Sequence, residues 1–276
     1  MSLDAILVPL FVPAHRPERF AKAAAAGPDA VILDLEDAVP PEAKAQARAQ
    51  LSTAFTPLPV LVRVNAAGTS WHEEDLAAVA ALKPAAVMLP KAEQPETVDH
   101  VAARIGAAVP VVALVESAVG LAAARALAAH PAVARLAFGS VDFAADLGCA
   151  HTREALLAAR SELVLASRLA GLPAPIDGVT TTIDDAALAT DDARYARAFG
   201  FGGKLVIHPR QIGPIRDGFR PDTAEIAWAR RVIASGEGAV AVDGAMVDEP
   251  VRIRARAILL QQLDDRSRHH FTIHDT

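Results

Sequence analysis

An alternation of apolar runs with alanine-rich stretches restricts the fold of this chain more than any other feature of its sequence. Eight runs have strand length, and a stretch with helical periodicity follows each of them. Most of these runs begin about 20 to 30 residues apart, which is room for one strand, one helix and two short loops. The runs are 6–12, 30–36, 60–65, 86–91, 111–117, 136–142, 175–181 and 204–209.

The runs are nearly continuous in apolar character, as strands buried on both faces should be. Strands that alternate with helices favour parallel pairing, and eight such units favour closure of the sheet. An open, doubly wound sheet is the competing architecture. We therefore predict an α/β fold, a closed (β/α)8 TIM barrel with a C-terminal helical extension, which suits a chain of 276 residues.

No linker rich in proline, glycine or serine divides the chain. We expect residues 1–221 to form the barrel core. Residues 222–263 are expected to form a helical or lid extension of the same domain, with a glycine-rich segment between two helices. Residues 264–276 are predicted to be a flexible tail.

Composition excludes several classes of partner. The net charge is −6 without a basic block, so nucleic acid is not expected to bind. Pro9 and Pro13 interrupt the first apolar run well before it could cross a membrane, so we predict neither a signal peptide nor a membrane helix. Cys149 is the single cysteine, so the chain has no disulfide framework. This favours a location in the reducing cytoplasm, and we expect the Cys149 thiol to be inert.

Ionisable side chains fall at the predicted carboxyl ends of the strands, where a parallel barrel builds its functional rim. A charged residue inside an apolar strand is costly unless it is paired or binds something. A set distributed around one rim therefore predicts a polar site for an anionic, chelating ligand. The set comprises Glu36, Asp37, Arg63, Asn65, Lys91, Glu116, Ser117, Asp142 and His208.

Glu116 and Asp142 are the predicted metal ligands, because they end adjacent predicted strands. Hard oxygen ligands without cysteine or paired histidine suit Mg²⁺, with Mn²⁺ also possible, better than zinc. The alternative is that each carboxylate simply pairs with Arg63 or Lys91.

Arg63 lies in VRVN and is a candidate to clamp a substrate carboxylate and to stabilise an enolate. The alternative is an ion pair with Glu36 or Asp37 inside the barrel, which is compatible with the first role. Glu36 and Asp37 are expected to support the site by orienting Arg63 or metal-bound water.

Three further patterns carry weaker predictions. Lys91 is expected to stabilise charge near the site, although a Schiff-base role is an alternative. His208 is equally consistent with a catalytic and a structural histidine. The GFGGK segment at 200–204 lacks the spacing of a phosphate-binding loop and is interpreted as a tight turn.

Several segments together resemble the citrate lyase beta-subunit-like proteins of the HpcH/HpaI aldolase superfamily, to which malyl-CoA lyases are related. They run in order from the first strand to beyond the last, and the resemblance extends to about residue 262. The set is more specific than any single member. The segments are LFVPAHRPERFAKA, DAVILDLEDAVPPEAKAQAR, VLVRVN, VMLPKAE, ALVESAVGL, LAFGSVDFAADLG and GFGGKLVIHPRQI.

The resemblance implies a Mg²⁺-dependent lyase that splits, or forms, a 3-hydroxyacyl thioester such as citryl- or malyl-CoA. The products would be a 2-oxo acid (oxaloacetate, glyoxylate or pyruvate) and an acyl thioester. By motif, Glu116 and Asp142 correspond to metal ligands, and Glu116 also to a substrate contact. Arg63 corresponds to the arginine that binds the substrate carboxylate.

Two further residues take roles from the resemblance alone. Arg16 lies where the family contacts coenzyme A or an acyl carrier protein. Asp248 matches an acidic residue that reaches a neighbouring subunit's site, and we expect it to be the catalytic base. A homo-oligomer, a trimer or a multiple of it, is therefore implied. Ala14 departs from the family, which usually has glycine there, and this makes carrier binding at that loop less secure.

Two alternative functions remain open at this point. One is a metal-dependent aldolase that acts on a 2-oxo acid without a thioester. The other is a barrel that binds an oxo acid without catalysis, although the full chelating set of Glu116, Asp142 and Arg63 favours an enzyme.

Overall fold

The computed structural model describes residues 3–272, with side chains described as far as residue 262. Eight strands form one sheet in the order β1 to β8, and all neighbouring pairs are parallel. The strands are β1 Pro9–Pro13, β2 Ala30–Asp34, β3 Val60–Arg63, β4 Ala86–Leu89, β5 Val111–Val115, β6 Val133–Phe138, β7 Ile176–Asp177 and β8 Gly203–Lys204.

The sheet closes between the segment after β8 and β1. Leu10 bridges Val206 in parallel, and the Phe11 N–H donates to the Val206 carbonyl at 2.8 Å. The Val206 N–H donates in turn to the Pro9 carbonyl at 3.0 Å. Every strand therefore has two neighbours, and the predicted closed barrel is confirmed.

Helices follow the strands around the barrel, as the alanine-rich stretches predict. They are α1 Phe20–Ala25, α2 Lys44–Ala49, α3 His72–Leu82, α4 Pro95–Ile105, α5 Ala118–Ala129, α6 Ser140–Leu147, α7 Leu157–Leu169, α8 Ala186–Phe199 and α9 Ile212–Phe219. Helix α5 begins where the Ser117 hydroxyl accepts the Gly120 N–H at 3.1 Å. Helix α6 ends at Gly148, whose φ of 65° is left-handed.

Alternate strand residues fill the barrel interior, because successive side chains of a strand point to opposite faces. The apolar cluster of the interior consists of Ile6, Ala30, Ile32, Leu61, Ala86, Met88, Val112, Leu114, Ala137, Ile176 and Leu205. It supplies the hydrophobic core beneath the functional rim.

A buried cation organises the amino end of the barrel. The Arg135 guanidinium donates from Nη1 to the carbonyls of Leu3 and Ile6, each at 2.7 Å, and from Nε to that of Ala174 at 2.8 Å. Burial lowers the pKa of Arg135 to about 10. Arg135 thus ties the first residues of the chain to the entry of β7.

The predicted strands begin close to the observed ones, but most were extended too far. The sixth prediction, 136–142, is wrong at its end, since β6 stops at Phe138 and Asp142 lies in the first turn of α6. The predictions 175–181 and 204–209 contain only the two-residue strands β7 and β8. The GFGGK segment is a turn at Gly200, with φ of 99°, that leads into β8, as predicted.

The chain forms two compact units, Met1–Arg216 and Asp217–Thr276. The second contains α10 Thr223–Ala234, an antiparallel hairpin of β9 Val240–Val242 and β10 Ala245–Val247, and α11 Glu249–Thr272. Its own apolar cluster includes Ala229, Val232, Val247, Ala255 and Ile258. The assignment of 222–263 to the same domain as the barrel stays a prediction.

The flexible tail predicted for 264–276 falls partly outside the described residues, since 273–276 are not described and α11 reaches Thr272. Across the described residues, no helix combines the length and apolar character needed to cross a membrane.

Candidate active site

A cavity of about 340 Å³ opens at the carboxyl ends of the strands, and four of the predicted site residues line it: Asp37, Arg63, Glu116 and Asp142. Arg63, the last residue of β3, and Glu116, which follows β5, line its wall. Asp142 joins them from the first turn of α6. The structure thus brings together the three residues that the sequence analysis placed at the centre of the chemistry.

Arg63 is held by a group of carboxylates. Its Nε and Nη2 donate to the two oxygens of Asp34 at 2.7 and 2.8 Å, which is a bidentate pair. Nη1 lies 2.9 Å from Glu36 Oε2 and donates to Asp37 Oδ2 at 3.3 Å. Although burial disfavours its charged form, Asp34 and the neighbouring acids raise the pKa of Arg63. The guanidinium is therefore a fixed positive charge at the cavity wall.

Phe11 completes the surroundings of Arg63. The guanidinium carbon lies 4.8 Å from the centre of the Phe11 ring, a cation–π contact. Asp34 accepts two of the guanidinium N–H groups, and the Phe11 ring covers one face of the guanidinium. The orientation of the Arg63 side chain is therefore fixed. A fixed, planar donor group is suited to a carboxylate or an oxyanion.

Glu36 is buried beside Arg63, and burial raises the pKa of its carboxyl to about 8. Arg63 opposes this rise, whereas the charge of Glu116 adds to it. Its Oε2 lies close to Arg63 Nη1 but lacks a properly aligned hydrogen-bond donor among the described residues. One buried carboxylate oxygen at this site is therefore left without a complete partner.

Glu116 is also buried, and its Oε1 accepts the backbone N–H of Lys91 at 2.8 Å. Lys91 has φ of 46°, a left-handed conformation that is uncommon outside glycine. On the other side, Gly139 comes so close that an added Cβ would lie 2.5 Å from Glu116 Oε2. The carboxylate thus sits between a strained turn and a close backbone approach.

Burial raises the pKa of Glu116 to about 7, and the nearby charge of Asp142 contributes to the rise. Neither carboxylate forms an ion pair with another described side chain, so the predicted alternative of pairing with Arg63 or Lys91 does not occur there. Asp142 is exposed at the cavity mouth. Two neighbouring carboxylates without a cationic partner fit a hard divalent cation.

No group of three or more histidine, cysteine, aspartate or glutamate side chains is arranged to hold a metal ion within the part of the chain that the structure describes. A pair of carboxylates leaves the other coordination positions to water and substrate, which is the usual behaviour of Mg²⁺. The donor set therefore fits Mg²⁺ better than a metal that needs a closed protein cage.

Other predicted residues lie outside this cluster. Arg16 is half-buried in the loop after β1, and its Nε pairs with Glu18 Oε1 at 2.6 Å. His208 caps the short 3-10 helix Pro209–Gln211, where its Nδ1 accepts the Arg210 N–H at 3.2 Å, a structural role. Asp248 belongs to the second compact unit, just before α11, and its catalytic role stays a prediction.

Asp34 was not singled out by the sequence analysis, although it is the main partner of Arg63. Its signal is the register of the sheet, since Asp34 on β2 is the direct neighbour of Arg63 on β3. Lys44, at the start of α2, was also missed, and its ammonium is buried beneath the same strand ends. Ser140 lines the cavity, and its Oγ lies 2.9 Å from His151 Nε2.

Comparisons with known proteins agree with this geometry. Residues 7–209 match the family model of HpcH/HpaI aldolase/citrate lyase. The chain is 42% identical over 261 residues to a citrate lyase subunit beta-like protein of Mycobacterium tuberculosis, covering 91% of this chain and 93% of the relative. It is 34% identical over 264 residues to a (3S)-malyl-CoA thioesterase of Cereibacter sphaeroides, covering 91% and 92%.

A human mitochondrial citramalyl-CoA lyase is 31% identical over 281 residues, covering 90% of this chain and 82% of that protein. Among solved structures, the CitE protein of M. tuberculosis in complex with magnesium, acetoacetate and coenzyme A superimposes with a TM-score of 0.85. The two sequences are 40% identical, and the match covers 94% of this chain and 99% of the CitE chain. The chain therefore belongs to the HpcH/HpaI aldolase/citrate lyase family and is a carbon–carbon lyase of the citrate lyase beta-subunit-like group.

Proposed function

We propose that the protein is a Mg²⁺-dependent lyase that cleaves or forms a 3-hydroxyacyl thioester, such as citryl- or malyl-CoA, with a 2-oxo acid as one product. The convergence of Arg63, Glu116 and Asp142 on one cavity is the observation that carries this proposal. The M. tuberculosis relatives, one solved with magnesium and coenzyme A and one with oxaloacetate and magnesium, support the choice of ligands.

Glu116 and Asp142 would hold the metal, and Glu116 would also contact the substrate. When bound, Mg²⁺ supplies a Lewis acid and a template for the carboxylate and the adjacent oxygen of the oxo acid. Mn²⁺, which accepts the same ligands, would substitute for it.

Arg63 would bind the substrate carboxylate and stabilise the negative charge that develops on oxygen as the carbon–carbon bond breaks. Asp34, Glu36 and Asp37 would keep the guanidinium oriented toward the cavity. Lys91 would support the site by fixing Glu116 through its backbone N–H. Arg16, half-buried in the loop after β1, is the proposed contact for coenzyme A or an acyl carrier protein.

The test is turnover of citryl-, malyl- and citramalyl-CoA, assayed with Mg²⁺ and with a chelator. We expect Mg²⁺-dependent release of oxaloacetate, glyoxylate or pyruvate from one of them. Cleavage of a thioester-free hydroxy acid instead would identify an aldolase that needs no acyl carrier. No release from any substrate, even though the protein binds oxaloacetate in Mg²⁺, would overturn the proposed reaction.

Mg²⁺ affinity should depend on pH through Glu116. Because the pKa of this buried carboxyl is about 7, a proton occupies it below that pH and must leave before the ion binds. We expect the dissociation constant to rise about tenfold per pH unit below pH 7 and to level off above pH 8. Isothermal titration at pH 5.5 to 9 would measure it, and a flat profile across pH 7 would contradict the assignment.

Asp248 is the proposed general base, supplied from a neighbouring copy of the chain. Asp248→Asn should lower turnover by about 100-fold or more, since a positioned base contributes that much, and should leave Mg²⁺ affinity unchanged. Asp243→Asn in the same unit is the matched control, because Asp243 is exposed and paired with Arg231. Equal turnover in both variants would remove Asp248 from the mechanism.

A shared site requires an assembly, and we propose a homo-oligomer, a trimer or a multiple of it, in the cytoplasm. Light scattering under assay conditions measures the assembly directly. An active monomer would contradict the supply of Asp248 by a neighbour.

A further inference from the structure

The buried ammonium of Lys44 joins the segments that follow β2 and β3, next to Glu36 and Arg63. Its Nζ donates three hydrogen bonds of 2.7 Å, to the carbonyls of Leu35 and Glu36 and to Asn65 Oδ1. Leu35 and Glu36 immediately follow β2, and Asn65 lies two residues beyond the end of β3. All three ammonium protons therefore have acceptors, as a buried lysine requires.

Asn65 is itself held from a second direction. Its backbone N–H and its Nδ2 both donate to Asp75 Oδ2, at 2.8 and 2.6 Å, and Nδ2 also donates to the Leu35 carbonyl at 3.0 Å. Asp75, on α3, is completely buried and also accepts from Arg48 Nη1 at 3.0 Å. The Lys44 ammonium thus connects a network anchored on helices α2 and α3 to the two strand ends.

This network lies under the charged part of the cavity. The Lys44 charge interacts favourably with Asp34, Glu36 and Asp37, which are also the carboxylates that surround Arg63. The Trp71 ring lies 5.1 Å from Nζ and shields the ammonium on a further side. A buried cation whose protons all have hydrogen-bond acceptors fixes its neighbours more rigidly than apolar packing would.

We propose that Lys44 is a positioning residue, whose three bonds set the placement of Glu36 and Arg63 and thereby the affinity for the 2-oxo acid. The inference rests on the function proposed above. It goes further by assigning a role to a residue that lines no part of the cavity. The Arg63 guanidinium that would bind the substrate carboxylate requires accurate placement, since a displacement of about 1 Å can lower a rate by about 100-fold.

The test compares Lys44→Met with Arg135→Met. Arg135 is a matched control, because it is also a buried cation that binds backbone carbonyls, but at the amino end of the barrel. Both variants should melt at a lower temperature. Only Lys44→Met should weaken the binding of oxaloacetate in Mg²⁺, by about tenfold as measured by calorimetry. This loss is smaller than the one expected for full displacement of the Arg63 guanidinium.

Crystal structures of the two variants separate this inference from the proposed function. In Lys44→Met, the Arg63 and Glu36 side chains should be displaced from their wild-type positions, and in Arg135→Met they should not. This readout holds even if the wild-type protein cleaves none of the thioesters. Superimposable Arg63 and Glu36 side chains in Lys44→Met would overturn the proposal.

Asn65→Ala covers the case in which Lys44→Met does not fold. It removes one of the three acceptors of Lys44, together with the Asn65 Nδ2 bonds to Leu35 and Asp75, and leaves the Lys44 bonds to the Leu35 and Glu36 carbonyls in place. A smaller displacement of Arg63 and a smaller loss of oxaloacetate affinity are expected. Unchanged Arg63 geometry and affinity in Asn65→Ala would also count against the proposal.

Discussion

Glu116→Gln is expected to lower Mg²⁺-dependent turnover by more than about 100-fold, because even residues that only support metal ligands cost 10- to 100-fold when they are removed. Glutamine has the shape of glutamate and still accepts the Lys91 N–H through its amide oxygen. It lacks the negative charge that a dication needs. Calorimetric titration with Mg²⁺ should show binding lost or greatly weakened.

The same variant should not lose stability. Burial raises the pKa of Glu116 from 4.5 to about 7, so above that pH the carboxyl is ionised in the folded state at a cost in stability. A neutral side chain removes this cost, and the melting temperature in chelator at pH 8 should stay equal or rise. A marked fall would assign Glu116 a structural role.

Asp142→Asn tests the second proposed metal ligand, and Asp146→Asn is its control. Both aspartates are exposed on α6, but Asp146 does not line the cavity, and it accepts the Ala118 N–H at 2.7 Å. Asp142→Asn should weaken Mg²⁺ binding as Glu116→Gln does, whereas Asp146→Asn should leave it within about twofold, since exposed substitutions have small effects. Equal losses in both would exclude Asp142 as a ligand.

Arg63→Lys is expected to lower kcat/KM by about 100-fold or more, the scale of losing one preorganised donor to a developing oxyanion. Lysine keeps the charge but cannot form the two parallel bonds to Asp34, measured at 2.7 and 2.8 Å. Buried Asp34 would lose its paired guanidinium donors and keep the backbone N–H groups of Glu36 and Ala38, which should destabilise the fold by about 1–3 kcal/mol. Steady-state kinetics and thermal unfolding measure the two effects.

Arg216→Lys tests whether such a loss is specific. Arg216 Nη2 contacts Asp29 Oδ1 at 2.9 Å and the Gly27 carbonyl at 3.0 Å, both just before β2. This substitution should affect stability without a change in kcat/KM. If Arg63→Lys behaves in the same way, its role is structural and the proposed carboxylate contact is wrong.

The architecture could be predicted because the apolar runs repeat with the spacing of a barrel. The ends of the strands could not, since apolar residues continue into the loops at the functional rim. Val179 and Ile207, for example, line the cavity beyond β7 and β8. Hydrophobicity alone does not distinguish a strand residue from a buried loop residue.

Arg63 and Glu116 could be predicted from position, because charges at strand ends are costly without a function, whereas Asp142 reaches the same cavity from α6 and not from a strand end. Asp34 was missed because its pairing with Arg63 depends on the register between β2 and β3, which the sequence pattern does not specify. Lys44 was missed for a different reason. It lies in KAQAR, where a lysine resembles any exposed helix residue until tertiary packing buries it.

The proposed metal ligands belong to elements of different rigidity. Glu116 follows a fully buried strand, whereas Asp142 is exposed on the first turn of the eight-residue helix α6. The end of a short helix opens at a much lower free energy than the core of the fold. In the proposed site, the barrel would therefore fix one ligand while a short helix carries the other, so a small shift of α6 would change the coordination without any unfolding of the barrel.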